Sequence, residues 1–348
     1  MVDKARMQEL IRRAPGAQGV FGPTSALMAA LGLVMGLAAC EGFADEGHPV
    51  LTALGRSRGL RLQELETGGF HGLSDLTHTT DAQGRPLYWA IPEQQRALVQ
   101  LDLSDPEHPK VTAKPRPIIG IDSDYDTESV TALGQGRFAI GTETQQGKRP
   151  VDTIFIVAGS SGEDPDAGPL NVVDTLAMPY NLWPGLRVRR NEGLEGLCAA
   201  GPALLASSES IGRLPSGQRF APLGRYELQD GRWVPYSMAL TLPTGRLSAV
   251  QCRVHPQAPD RIEILAVERH YGVGRILRAT VPLRLEPDTC LAPQVIFPEV
   301  LADLSPLLAP LANFEGIDWL PNGDVLLVTD NHMGFIRGPS FLLRLPTP

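Results

Sequence analysis

Five segments of the chain repeat one pattern at intervals of about sixty residues, and a repeat of that period restricts the fold more than any other feature. They are Gly72–Thr77 with Leu87–Ile91, Asp126–Val130 with Arg137–Glu143, and Asn191–Leu197 with Ala203–Glu209. Gly245–Val250 with Ile262–Glu268, and Asn313–Asp318 with Asp324–Asp330, complete the set. In each, a polar or acidic residue opens a short strand, a turn follows, and an apolar strand comes next. The turns at Asp81–Gly84, Gly134–Gly136 and Pro321–Asp324 have hairpin chemistry. Taking Asp75, Glu128, Glu195, Ser248 and Glu315 as equivalent gives steps of 53, 67, 53 and 67 residues.

A step of that length holds four strands and their loops. The expected fold is therefore all-β: a single β-propeller of five four-stranded blades, with six as the alternative count. A sandwich or two small β domains is the competing architecture. The fifth unit retains only Phe341–Leu345 after its hairpin, so Leu60–Leu65 ahead of the first unit is expected to complete it and close the ring. Residues 59–348 form the predicted propeller, and residues 40–58 a linker.

The first forty residues read differently. Lys4, Arg6, Arg12 and Arg13 form a basic region, and an apolar stretch from Ala26 to Ala39 ends at Cys40. That stretch is shorter than the roughly 20 residues a spanning helix needs, and suits a signal segment. Small residues directly before Cys40 resemble a bacterial lipobox, which implies acylation of Cys40 and a lipid anchor in the cell envelope. The alternative is an ordinary secretory signal or a short anchor helix. Removal of residues 1–39 takes the net charge from −8 to about −10. A chain so acidic is not expected to bind nucleic acid, which requires basic patches. It is compatible with a cation site.

Cys198, Cys252 and Cys290 remain after Cys40. An exported chain permits a disulfide, and Cys198 and Cys252 stand at similar places in successive repeats. Buried, unpaired thiols are the favoured expectation.

In a propeller the innermost strands line the central channel, so the acids that open them gather at one mouth. Asp75, Glu128, Glu195 (or Glu192) and Glu315 are the candidates, joined by the acids ending the second strands: Glu143, Glu209, Glu268 and Asp330. Carboxylates at that density raise one another's pKa unless a cation neutralises them, and hard oxygen ligands suit Ca²⁺ or Mg²⁺. For any single acid, strand capping or pairing with an arginine is the plainer role. His270 and His332 are the acid/base candidates. Arg190, Arg246, Arg269, Asn331 and His71 are the candidates for contact with an anionic ligand.

Asp126–Val130 with Gly136–Glu143, Arg190–Leu197 with Ser207–Glu209, and Asn313–Asp318 with Asp324–Asn331 resemble the esterase-like phytase family, a group of exported bacterial propellers. The resemblance runs through most of the chain after Cys40. It implies a propeller, extracytoplasmic placement and hydrolysis of phosphate esters or related esters. By position it carries functional places onto Glu128, Glu143, Glu195, Glu209, Glu315, Asp330 and Asn331. Ser248 departs from that pattern, as does the first hairpin, which ends Ile91, Pro92, Glu93. No Gly-x-Ser-x-Gly elbow, P-loop, dinucleotide fingerprint or zinc-type Cys/His spacing occurs in the sequence.

Two functions are consistent with these residues. One is a Ca²⁺-dependent hydrolase of a small anionic ester. The other is a non-catalytic envelope lipoprotein whose propeller binds a partner or an envelope component. Either is expected to be a monomer.

Overall fold

The second strand of each hairpin is apolar along both faces, which a strand tolerates only when covered on both sides. Ala203–Ser208 and Val325–Thr329 are buried at every residue. The computed structural model describes residues 61–112, 114–144, 152–159, 168–189, 192–270, 273–286, 292–305, 313–331 and 339–347. Cys40, Arg190, Cys290, His332, the leader and the linker lie outside them. The described residues are all-β apart from one 3-10 turn at Tyr180–Leu182, and none of their helices is long and apolar enough to cross a membrane.

Pairing distributes the strands over five hairpin-led units. The inner strands are Leu73–Thr80, Tyr125–Gly134, Leu194–Ala200, Arg246–His255 and Phe314–Trp319. Each runs antiparallel to its hairpin partner. Each also packs against the inner strands of the units before and after it, and the fifth packs against the first, so the ring is closed. The fold is a β-propeller. Its apolar core is divided accordingly into five clusters, each formed between two successive units.

Closure takes place as expected at the chain ends. Arg61–Glu64 pairs antiparallel with Phe341–Leu345 and supplies the outer strand of the fifth unit. Two pairings join neighbouring units and have no counterpart in the repeat. Arg116–Ile119 runs parallel to Leu170–Ala177, and Gln294–Ile296 parallel to Arg232–Ala239. In the fourth unit Glu299–Asp303 is the outer strand.

Cys198 and Cys252 form a disulfide with Cα atoms 5.4 Å apart, contrary to the expectation of unpaired thiols. Their strands are neighbours in the inner ring, which brings the two Cβ atoms within bridging reach. A cross-link over 54 residues of chain contributes about 2–4 kcal/mol, chiefly by restricting the unfolded chain.

Candidate functional site

Every inner strand carries a β-bulge near its start, and the bulges define the channel mouth. The register shifts at Ser74, Glu128, Glu195, Ser248 and Glu315. A bulge leaves one residue unpaired and re-aims its side chain. These five positions form the first level of the mouth. Ser74, not Asp75, is the equivalent residue in the first unit, so the sequence alignment is off by one residue there.

The glycine that follows Glu195 and Glu315 has a steric cause. A Cβ on Gly316 would lie 2.8 Å from Asp75 Cα and 2.6 Å from Val328 Cγ1, and one on Gly196 would lie 2.7 Å from the Val250 nitrogen. Neighbouring inner strands approach too closely here for any side chain.

The second level comes from residues at the ends of the hairpins' second strands, Glu143 and Arg269 within them and Glu93, Glu209 and Asp330 one residue beyond. Asp126 pairs with Glu143, and Arg246 with Arg269. The backbone N–H groups of Glu93, Glu209 and Asp330 donate to the carbonyls of Gly72, Gly193 and Asn313. The equivalent residues are therefore Glu93, Glu143, Glu209, Arg269 and Asp330. Glu93, which the sequence reading left aside, belongs to the group. Glu268 does not: it pairs with Leu247, and its carboxylate accepts from the Thr241 N–H at 3.0 Å, the Leu242 N–H at 2.9 Å and the Thr241 hydroxyl at 2.5 Å. Its role is to hold that loop. Arg269 takes the place assigned to it.

Asp75 is likewise a fastening. Its Oδ2 accepts from the Val130 N–H at 3.0 Å, clasping the first inner strand to the second, and its Oδ1 accepts from the Leu76 N–H at 2.8 Å. Thr77 and Thr131 continue the same fastening, accepting from the N–H groups of Ala132 and Ala199. Burial pushes the Asp75 carboxyl well up, with these hydrogen bonds acting against the shift.

The mouth thus collects Glu93, Glu128, Glu143, Glu195, Glu209, Glu315 and Asp330, all of them buried except Glu209. Burial, then mutual repulsion, raises Glu128 and Glu195 well above the carboxylate range. Burial also raises Glu315, with Arg269 opposing the shift. Glu93 is raised to about 7 by burial and by Asp330 and Asp126. Glu143 is raised to about 7 by burial and by neighbouring acids including Asp152, while its bond from the Gly193 N–H at 2.7 Å opposes this. Glu93 Oε2 is buried with no hydrogen-bond partner.

On the fourth unit's side, Arg269 donates to Glu315, which also accepts from Asn313 Nδ2 at 2.8 Å. Arg246 bridges Glu209 at 3.1 Å and Glu192 at 2.8 Å. Glu192 is therefore an arginine partner, and Glu195 is the residue at the bulge. His270 is held below its ordinary pKa by burial and by Arg246, which favours its neutral form.

His71 and Asn331 line one cavity of about 340 Å³ with Glu66, Gly72 and Ser340. It adjoins the acidic mouth, since a Cβ on Gly72 would lie 3.1 Å from Asp330 Oδ1 and 3.5 Å from Glu93 Cβ. Asn331 is buried and its Oδ1 has no hydrogen-bond partner. As the side chains stand, no three Asp, Glu, His or Cys residues among the described residues are arranged to hold a metal ion.

A closed ring of hairpin-led units with carboxylates gathered at one end of its axis defines a β-propeller with an acidic channel mouth. The chain belongs to the phytase-like family, described by an esterase-like activity of phytase, whose model matches residues 61–333. No curated protein matches the chain. Among solved structures it is similar to an endo-arabinase from Bacteroides thetaiotaomicron, at 14% identity and a TM-score of 0.45, covering 80% of this chain and 97% of that one. An α-L-arabinanase from Cellvibrio cellulosa, complexed with arabinohexaose, is similar at 8% identity and a TM-score of 0.46, covering 79% and 92%. A protein of unknown function from Dyadobacter fermentans gives 11% identity and a TM-score of 0.44, covering 84% of each chain.

Proposed function

We propose that the channel mouth is the site of a Ca²⁺-dependent hydrolase acting on phosphate esters or related esters. The observation that carries this reading is the gathering of seven carboxylates from four units, with Glu93 Oε2 buried and unpartnered among them. An anionic ester cannot approach so many carboxylates unless cations or protons neutralise them. The donors are all oxygen, which suits a hard cation, and the unpartnered acceptor is a place where such an ion fits. Binding requires the carboxylates to leave their present rotamers, in which no three among the described residues are arranged to hold an ion.

Glu128, Glu195 and Glu315 would hold the ion, with Glu93, Glu143, Glu209 and Asp330 around them. When bound, a cation there supplies Lewis acidity and lowers the pKa of a coordinated water. Arg246 and Arg269 orient the anionic group. His270, neutral beside them, accepts or returns a proton at its ring nitrogen. The cavity lined by His71 and Asn331 receives the rest of the substrate.

A second reading is a non-catalytic platform, and the ion pairs favour it: Glu315, Glu209 and Glu192 already have arginine partners. Calorimetric titration of Ca²⁺ into the full chain, together with a phosphomonoester screen, separates the two. Stoichiometric binding with hydrolysis that a chelator stops supports the hydrolase. Absence of both leaves the platform.

The reading includes export and a lipid anchor on Cys40. The Cys198–Cys252 disulfide supports it, because such bonds persist in oxidising compartments. Fatty-acid labelling of the chain in a bacterial host, lost in Cys40→Ser, is the expected result; a wild-type chain that takes no label would remove the anchor.

A further inference from the structure

The fourth unit departs from the others at successive levels of the mouth. It carries Arg246 where they carry Gly72, Asp126, Gly193 and Asn313, and Arg269 where they carry Glu93, Glu143, Glu209 and Asp330. At the bulge it has Ser248, uncharged like Ser74 of the first unit, and the Ser248 hydroxyl donates to the Phe314 carbonyl at 3.0 Å. One side of the mouth is thus cationic and the remainder acidic.

The two arginines are held by the carboxylates facing them. Arg269 is bonded to Glu315 and Arg246 to Glu209, and both acids belong to the levels that would surround a cation. Arg269 Nε is buried without a hydrogen-bond partner, as Glu93 Oε2 is on the acidic side. Among the described residues, the mouth therefore holds an unpartnered donor in Arg269 Nε and an unpartnered acceptor in Glu93 Oε2. A guanidinium fork matches a tetrahedral oxyanion in geometry and charge, so an anion is the ligand that these donors fit.

We infer that Arg246 and Arg269 form an oxyanion seat latched by Glu209 and Glu315, and that a cation entering the mouth opens it by drawing those carboxylates away. This rests on the cation site proposed above and adds that cation and anion bind cooperatively. Binding either ligand alone requires the ion pairs to break, whereas binding both incurs that cost once. Coupling of this kind is reciprocal. The ligand is a phosphoryl or similar oxyanion group on a substrate that reaches the site with calcium rather than before it.

The test is calorimetric titration of Ca²⁺ into the full chain, in chloride and in methylphosphonate at equal ionic strength. Methylphosphonate is a phosphoryl analogue with no ester to cleave. The expected result is a Ca²⁺ affinity about fivefold or more tighter in methylphosphonate, and methylphosphonate binding that is detected only with Ca²⁺ present. Arg246→Gln should bind Ca²⁺ in chloride at least as tightly as wild type while losing the methylphosphonate effect. Arg344→Gln, which breaks a distant pair with Asp324, should retain it. Equal Ca²⁺ affinity in the two salts, or a full effect in folded Arg246→Gln, would overturn the seat and leave the cation site standing. Absence of Ca²⁺ binding in both salts would remove the cation site and the seat together.

Discussion

Glu128→Gln combined with Glu195→Gln is expected to weaken Ca²⁺ binding by about a hundredfold or more and to raise the melting temperature of the calcium-free protein. The first effect follows from removing two charged oxygen ligands, because ligand charge count sets calcium affinity over many decades. The second follows from burial. Both carboxyls are held well above their usual range by desolvation and by other acids. An amide of the same shape removes the repulsion. These two residues are better probes than Glu315, whose removal would leave the Arg269 charge without its partner. Titration calorimetry and thermal melts at pH 8 check both effects. The stabilisation should shrink as pH falls, because protonation of the wild-type carboxyls relieves the same repulsion. Unchanged calcium affinity would place the ion elsewhere, and a lower apo melting temperature would mean that the carboxylates are satisfied as they stand.

The architecture was legible in the sequence because the hairpins repeat. Polar openings, Gly- and Asn-containing turns and apolar second strands recur in order, and the unpaired end of the fifth unit called for an N-terminal strand. The site was legible only in part. Alignment followed the acids, and in two units the nearest acid was one residue from the mouth. The acids are Asp75 and Glu268, whereas the residues at the mouth are Ser74 and Arg269. In a strand a shift of one residue changes the face, so both acids turned out to fasten backbone. Alignment on the apolar residue just before the bulge would have served better, since Leu73, Leu194, Leu247 and Phe314 keep their place in four units. That frame places Ser74 correctly, brings Glu93 into the mouth and shows the fourth unit to be basic. The parallel pairings between units and the choice of cysteine partners depend on contacts between distant segments, and no local pattern encodes them.

The same acids govern how stability responds to pH. Glu93 and Glu143 are raised to about 7 in the folded chain, above the roughly 4.3 of an unfolded glutamate. Between those values the folded state binds more protons than the unfolded state, so stability falls as pH rises through the window. His78 acts in the same direction: its bond to buried Asp318 at 2.7 Å raises its pKa, and that stability is lost as pH climbs through the raised value. His270 is shifted the other way, by burial and by the Arg246 charge, and so opposes part of this trend. Asp303 and Asp324 are lowered by their hydrogen bonds and arginine partners, which offset burial, so they destabilise the fold only at still lower pH. The calcium-free chain should therefore be most stable near pH 5. By pH 8 the loss should be on the order of 2–4 kcal/mol after allowance for solvent screening. For a chain of this size that is roughly 5 °C or more in melting temperature. Calcium at pH 8 should reverse the loss and release protons, because the ion and the protons compete for the same oxygens. Thermal melts from pH 4 to 9 with and without calcium, and calorimetry in two buffers of different ionisation enthalpy, measure both effects. A melting temperature that rises from pH 5 to 8 without calcium would mean that the mouth is not a store of buried carboxylate repulsion, and the argument for a cation there would lose its physical basis.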